Sequence, residues 1–80
     1  MTVNKAVALR ISNLLIEKNM TLYRLEQNSG ISHGTMGCIM NERNKTVTLT
    51  KVMLIAKGFN MSVIEFLDDP LFSDENLELE

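Results

Sequence analysis

The stretch Thr21–Asn41, TLYRLEQNSGISHGTMGCIMN, decides the fold. Thr21 precedes Leu22, Arg24 and Leu25 as an N-cap precedes an amphipathic helix: a threonine oxygen accepts from an amide that a helix start leaves unpaired. This predicts a short helix over Leu22–Asn28. Ser29-Gly30 ends it, because Gly30 takes a positive φ without steric cost. Ile31 is an apolar plug in the turn. Ser32 caps a second helix, His33–Asn41, whose inner stripe is Met36, Ile39 and Met40. Leu25 and Ser29 face the same interior. His33, Gly34, Gly37, Cys38 and Asn41 are left pointing outward together.

The flanking sequence supplies the rest of an all-helical protein. Upstream, Val3, Val7, Ile11, Leu14, Leu15 and Lys18 form one helical stripe, so a helix is expected over Val3–Lys18, capped by Asn4 or Thr2 and stopped at Asn19. Leu9 and Ile16 fall on its opposite face and need a cover, either the C-terminal segment or another subunit. Downstream, Asn41–Thr46 is a polar loop. Thr48 caps a helix with Leu49, Val52, Ile55, Ala56 and Phe59 on one face, and Asn60, rather than Gly58, is its preferred left-handed stop. Ser62 caps a short helix over Val63–Leu67. Asp68-Asp69-Pro70 breaks it, since proline disfavours helix at the preceding residue. Only Thr46-Val47-Thr48 has strand character, and it is too short. The expectation is a compact all-α bundle of five short helices. Leu71–Glu80 is acidic and expected to be partly loose, with Leu71 and Phe72 as side chains that can dock.

Eighty residues make one domain. A chain of this size has room for a modest core and a surface site, hardly for a deep catalytic cavity. One cysteine excludes an intrachain disulfide. No apolar run is long enough to cross a bilayer, and Arg10, Ser12 and Asn13 interrupt any signal-peptide pattern, so a cytoplasmic location is expected. The net charge of -2 hides a division. Residues 1–64 hold all eight lysines and arginines against Glu17, Glu26 and Glu42, a net of +5. Residues 65–80 hold seven acids and no base. The organisation read from this is a domain over 1–68 and an acidic C-terminal tail over 69–80.

Two short helices joined by a tight turn can brace one helix across a DNA backbone and lay the other in the major groove. Here the sequence resembles the lambda-repressor-like helix-turn-helix domains, the Cro/repressor or XRE type. The resemblance spans about Val3–Leu67. It rests on MTLYRLEQNSGISHGTMGCIMNERNK (residues 20–45) and VTLTKVMLIAKGFNMSVIEFL (residues 47–67). In the second stretch Leu49, Val52, Ile55, Ala56, Phe59, Met61, Ser62 and Phe66 occupy matching places. There are departures. Leu22 stands where the family usually has a phosphate-touching glutamine, and Glu26 where it usually has alanine. Leu15 and Met40 replace a buried Arg–Glu pair, a change that need not cost stability. Asn41-Glu42 replaces Asn-Gly, which sets a negative charge near the presumed phosphates.

Given this reading, the candidate DNA-binding residues are Ser32, His33, Gly34, Thr35, Gly37, Cys38, Asn41, Arg43, Asn44 and Lys45. His33 stands in the first turn, where recognition helices meet bases, and can reach a base edge or a phosphate. Ser32 serves as cap or contact, Thr35 touches phosphate or base, and Asn41 caps the helix or touches phosphate. Gly34, Gly37 and Cys38 leave a small surface suited to close backbone approach and to apolar contact with thymine methyls. Arg43, Asn44 and Lys45 can grip phosphates, with Arg24 and Lys51 as secondary candidates. Tyr23 is expected to pack under the motif. There is no second histidine, and Cys38 lies off the face of His33, so no metal site is expected. No acid–base pair, nucleophile–histidine pair or phosphate-cradling glycine loop is readable, so neither catalysis nor a cofactor is expected.

The function expected is that of a sequence-specific transcriptional regulator, a repressor, binding a double-stranded operator. Val63, Ile64, Phe66 and Leu67 are too apolar for a helix with one buried face; some belong to the core, and the excess, with Leu9 and Ile16, implies a homodimer reading two half-sites. The alternative is a protein-interaction module, such as an antitoxin or accessory factor, to which Leu22, Glu42 and the acidic tail lend weight. The tail is also able to fold over the basic face.

Overall fold

The computed structural model describes residues 1–43 and 46–78. Within them the chain forms α1 (Val3–Glu17), α2 (Leu22–Ser29), α3 (His33–Met40), α4 (Leu49–Gly58), α5 (Val63–Leu67) and a 3₁₀ turn at Pro70–Phe72. The expected all-α class and the five helices are what the structure has. Each boundary lies within a residue or two of its expected place, because each is set locally.

The starts are alike. Thr2, Thr21, Ser32, Thr48 and Ser62 are extended residues whose hydroxyls accept from the amides of Lys5, Arg24, Thr35, Lys51 and Glu65. Each cap satisfies one orphan amide and is worth about 1 kcal/mol. At α5 Glu65 also returns a hydrogen bond to the Ser62 amide at 2.9 Å, closing a capping box.

The ends turn through left-handed residues: Asn19 at φ 51°, Gly30 at 76°, Glu42 at 57° and Asn60 at 60°. After α1, α3 and α4 the following amide reaches back five residues: Met20 to the Leu15 carbonyl at 2.8 Å, Arg43 to Cys38 at 2.9 Å and Met61 to Ala56 at 3.0 Å. This is the Schellman closure, which satisfies carbonyls the helix end would otherwise leave bare. The expected stop at Asn60 is the one used, and Phe59 stays in the core. Glu42 is the unusual member, since a Cβ in the left-handed region costs energy that glycine avoids.

The core gathers Val7, Ile11 and Leu14 from α1, Leu25 from α2, Ile31 from the turn, Met36 and Ile39 from α3, Val52, Ile55 and Ala56 from α4, and Phe59 and Phe66 beyond. Leu15 and Met40 pack against it, partly buried. Two expected inner residues are not inner. Leu49 is 65% exposed, because the first residue of α4 projects past the edge of the bundle. Tyr23 is 68% exposed and lies along the surface of α2, its hydroxyl accepting from Gln27 at 3.0 Å. Leu9 and Ile16 stay on the surface of the single chain, Ile16 at 80% exposure.

Phe72, one of the two tail side chains expected to dock, packs against the core, and backbone contacts continue to residue 78. Phe72 sets its ring 6.0 Å from that of Phe66. Thr2 and Glu78 form a parallel bridge, and the Glu78 amide donates to the Met1 carbonyl at 2.8 Å. The anchor is Arg10. Its Nε donates to the Phe66 carbonyl at 2.8 Å, Nη2 to the Glu65 carbonyl at 3.1 Å and Nη1 to Asp69 at 3.0 Å. One planar guanidinium thus closes the end of α5 and holds the tail, a task its fixed fork suits. The described tail residues therefore lie against α1 and α5.

Candidate nucleic-acid interface

Met36 and Ile39 are fully buried and seat α3 on the core, which fixes the face it turns outward. Ile31 is buried in the turn, where its amide donates to the Ser29 hydroxyl at 3.3 Å. Glycine at φ 76° in position 30 lets the chain reverse tightly enough for α3 to cross α2. The turn, the caps and the inner stripe thus place one short helix with an open side.

The structure brings Ser32, His33, Gly34, Gly37, Cys38 and Asn41 onto or beside that side. Ser32, His33, Gly34 and Asn41 are exposed, while Thr35, Gly37 and Cys38 are half-buried. The polar groups have prior engagements. Ser32 accepts from the Thr35 amide at 3.2 Å and donates to the Thr35 hydroxyl at 3.0 Å. The Asn41 amide group donates to the Gly37 carbonyl at 2.8 Å. A Cβ added at Gly34 or Gly37 would meet nothing within 4 Å. The fold therefore does not require glycine at either position, and each costs about 1 kcal/mol of helix stability in an interior turn.

Arg43 follows α3 and is exposed, its backbone set by the closure through Glu42. Asn44 and Lys45 lie outside the described residues. Arg24 is exposed and Lys51 half-buried, and both stand at the third position of their helices, α2 and α4. Leu22, in the place of the usual glutamine, is half-buried against the core.

One site contact was not read from the sequence. His33 directs Nδ1 to the Glu26 carboxylate, 2.9 Å from one oxygen and 3.2 Å from the other. Their seven-residue separation spans the turn, so only the crossing of α2 and α3 joins them. Among the described residues no group of three or more histidine, cysteine, aspartate or glutamate side chains could hold a metal ion. Among the described residues no helix is long and apolar enough to cross a membrane.

A family model described as the Cro/C1-type helix-turn-helix DNA-binding domain matches residues 10–70. The chain belongs to that family. The match runs from the middle of α1 to the start of the 3₁₀ turn and takes in the whole of α2, the turn and α3. Neither the curated proteins nor the solved structures yield a match. Within the Cro/C1-type domain, α2 and α3 are the helix-turn-helix pair, and the departures find structural accounts. Glu42 occupies the left-handed position that glycine usually fills. Leu15 and Met40 meet the core as apolar neighbours.

Proposed function

We infer that this Cro/C1-type domain is a cytoplasmic transcriptional regulator, a repressor, that binds a double-stranded operator as a homodimer with α3 in the major groove. Ser32, His33, Gly34, Thr35, Gly37, Cys38 and Asn41 meet the DNA from α3, and Arg43, Asn44 and Lys45 hold phosphates beside it. The observation that carries this reading is the outward face of α3. It is small, exposed and locked onto the core, and its two glycines have no packing reason to be there. Close approach to a duplex supplies a reason. The net charge of +5 over residues 1–64 supports phosphate contact.

Pairing is supported by the apolar surface that one chain leaves open. Ile64 is 78% exposed on α5, and Met53, Leu54, Met61 and Val63 line an apolar groove of about 550 Å³ beside it. A dimer presents two copies of α3 about 34–36 Å apart, one turn of B-DNA.

Selection of bound sequences from random duplex DNA tests the whole reading. The expected result is a palindromic motif, with log affinity falling against log salt by about 0.9 per phosphate neutralised. An affinity insensitive to salt refutes phosphate contact, and a motif without symmetry refutes the dimer. The alternative, a protein-interaction module such as an antitoxin or accessory factor, draws on the same apolar groove and on the internal partners of Ser32, Thr35 and Asn41. Absence of any enriched sequence favours it.

A further inference from the structure

We propose that Glu26 is a positioning residue for His33: it accepts the Nδ1 hydrogen and so presents Nε2 to the major groove as the outward, reading atom. This rests on the reading of α3 as the recognition helix.

The geometry is unequal between the partners. The Glu26 side chain is only 10% exposed, whereas that of His33 is 88% exposed. A carboxylate so withdrawn from water needs a hydrogen-bond donor. Both of its oxygens lie within 3.2 Å of His33 Nδ1. Nδ1 must therefore carry a hydrogen, because a bare nitrogen would set its lone pair against a carboxylate. The partner of one ring nitrogen decides what the other can do. With Nδ1 protonated, neutral His33 has a bare Nε2, a hydrogen-bond acceptor. Protonated His33 has an Nε2–H donor, with Nδ1 still on Glu26.

In the major groove these two states read different edge groups. A bare Nε2 accepts from the exocyclic amine of cytosine or adenine. An Nε2–H donates to N7 or O6 of guanine, to N7 of adenine, to O4 of thymine, or to a phosphate. Water alone favours the opposite neutral tautomer, with hydrogen on Nε2. Glu26 thus reverses the ring's intrinsic preference, and with it the kind of group that Nε2 reads at one position of each half-site.

The surrounding charges leave this role to Glu26. On α2 the other titratable groups are Tyr23, whose hydroxyl accepts from Gln27, and Arg24. On α1 they are Lys5, Arg10, Glu17 and Lys18, of which Arg10 is committed to Asp69 and the end of α5. On α3 itself there is Cys38. Among the described residues, the ion pair that reaches the His33 ring is the one with Glu26.

His33 is the chain's single histidine, so its imidazole nitrogens can be read by NMR without assignment ambiguity. The first measurement is the ring tautomer in the free wild-type protein and in Glu26→Ala and Glu26→Gln, at a pH well above the histidine range. Alanine is the residue the family usually carries at this position, which makes that variant the one suited to keep the fold. The expected result is hydrogen on Nδ1 in the wild type and on Nε2 in Glu26→Ala, with Glu26→Gln between them. Hydrogen on Nε2 in the wild type overturns the proposal.

The second measurement is selection of duplex sequences by the wild type and by Glu26→Ala at that same pH. The wild type is expected to select an amine-bearing base, cytosine or adenine, at one position per half-site. Glu26→Ala is expected to shift at that position toward guanine or thymine, whose acceptors meet an Nε2–H, and to bind the wild-type sequence about two- to fivefold more weakly per subunit. Identical preferences in the two proteins overturn the reading role of Glu26. If neither protein binds any duplex while the tautomer is as expected, the DNA-binding reading fails and the Glu26–His33 contact stands.

Discussion

Replacing Gly58 with alanine puts a methyl group into a tight contact between α4 and α2. An ideal Cβ there lies 2.8 Å from Leu25 Cδ1, 3.1 Å from Ser29 Cβ and 3.3 Å from the Ser29 amide nitrogen. Carbon atoms pack best at about 3.5–4.0 Å, so all three neighbours must give way. The leucine methyl belongs to a fully buried side chain and the other two atoms to the backbone or its first carbon, also buried. Asn28 moreover donates to the Gly58 carbonyl at 3.2 Å, tying the same two helices at the same point. Forcing extra volume into such a contact costs about 1–3 kcal/mol. Alanine returns up to about 1 kcal/mol of helix propensity, and less at the last residue of a helix. The net expectation for Gly58→Ala is a loss of about 1–2 kcal/mol, which at about 4–8 °C per kcal/mol lowers the midpoint of thermal unfolding by roughly 5–15 °C. Gly37→Ala is the internal control. Its new methyl meets open space within α3, so the midpoint should rise by a few degrees. Circular dichroism melting of the two variants beside the wild type decides the matter. A Gly58→Ala protein that melts at or above the wild type would refute the claim that this glycine sets the α2–α4 spacing.

Glu42→Gly should raise stability by about 0.5–1 kcal/mol, because the residue already sits at φ 57° where a Cβ is costly; a lower melting temperature would count against that account. Arg10→Lys should cost about 2 kcal/mol in denaturant unfolding, since a compact ammonium lacks the planar fork whose three nitrogens reach two carbonyls and a carboxylate. An unchanged unfolding midpoint would show the fork to be dispensable. The Ser62 backbone hydrogen bond, with its hydroxyl and then Lys18, holds the Glu65 carboxyl below its ordinary value of 4.5. A carboxyl lowered on folding adds stability above that value and loses it as pH falls through the lowered one. The stability gap between wild type and Glu65→Gln should therefore be full at neutral pH and close below about pH 4.5; a gap that widens in acid would contradict the sign.

The helix starts were legible because a cap is a transaction among four neighbouring residues. Thr21, Ser32, Thr48 and Ser62 each needed only their own local sequence. The same holds for Asn19, Gly30 and Asn60, whose tolerance of positive φ is intrinsic. What escaped the sequence lies across the fold. Arg10 reads only as an interruption of a signal-peptide pattern, and its role emerges only when residues 55–59 positions away arrive beside it. Leu49 fits the period of its helix, but period says nothing of where the bundle ends. Tyr23 carries enough apolar area to be expected inside, yet its position on α2 faces outward. The candidate interface was legible as a face, since the buried stripe of α3 dictates its complement. The pairing of His33 with Glu26 was not, because it depends on how steeply two helices cross.

The guanidinium of Arg10 has a consequence for how α5 comes into being. Five residues make little more than one turn, and isolated helices shorter than about 12–15 residues do not persist in water. The last carbonyls of α5 find their donors on α1, and Phe66 finds its place in the core that α1 helps to build. α5 is therefore not a module that folds and then docks; it exists only as a product of the completed domain. The apolar residues it displays, Ile64 above all, form an ordered face only after the rest of the chain is in place. Any partner that grips this face tests the integrity of the whole domain in doing so, and a half-folded chain has nothing there to offer.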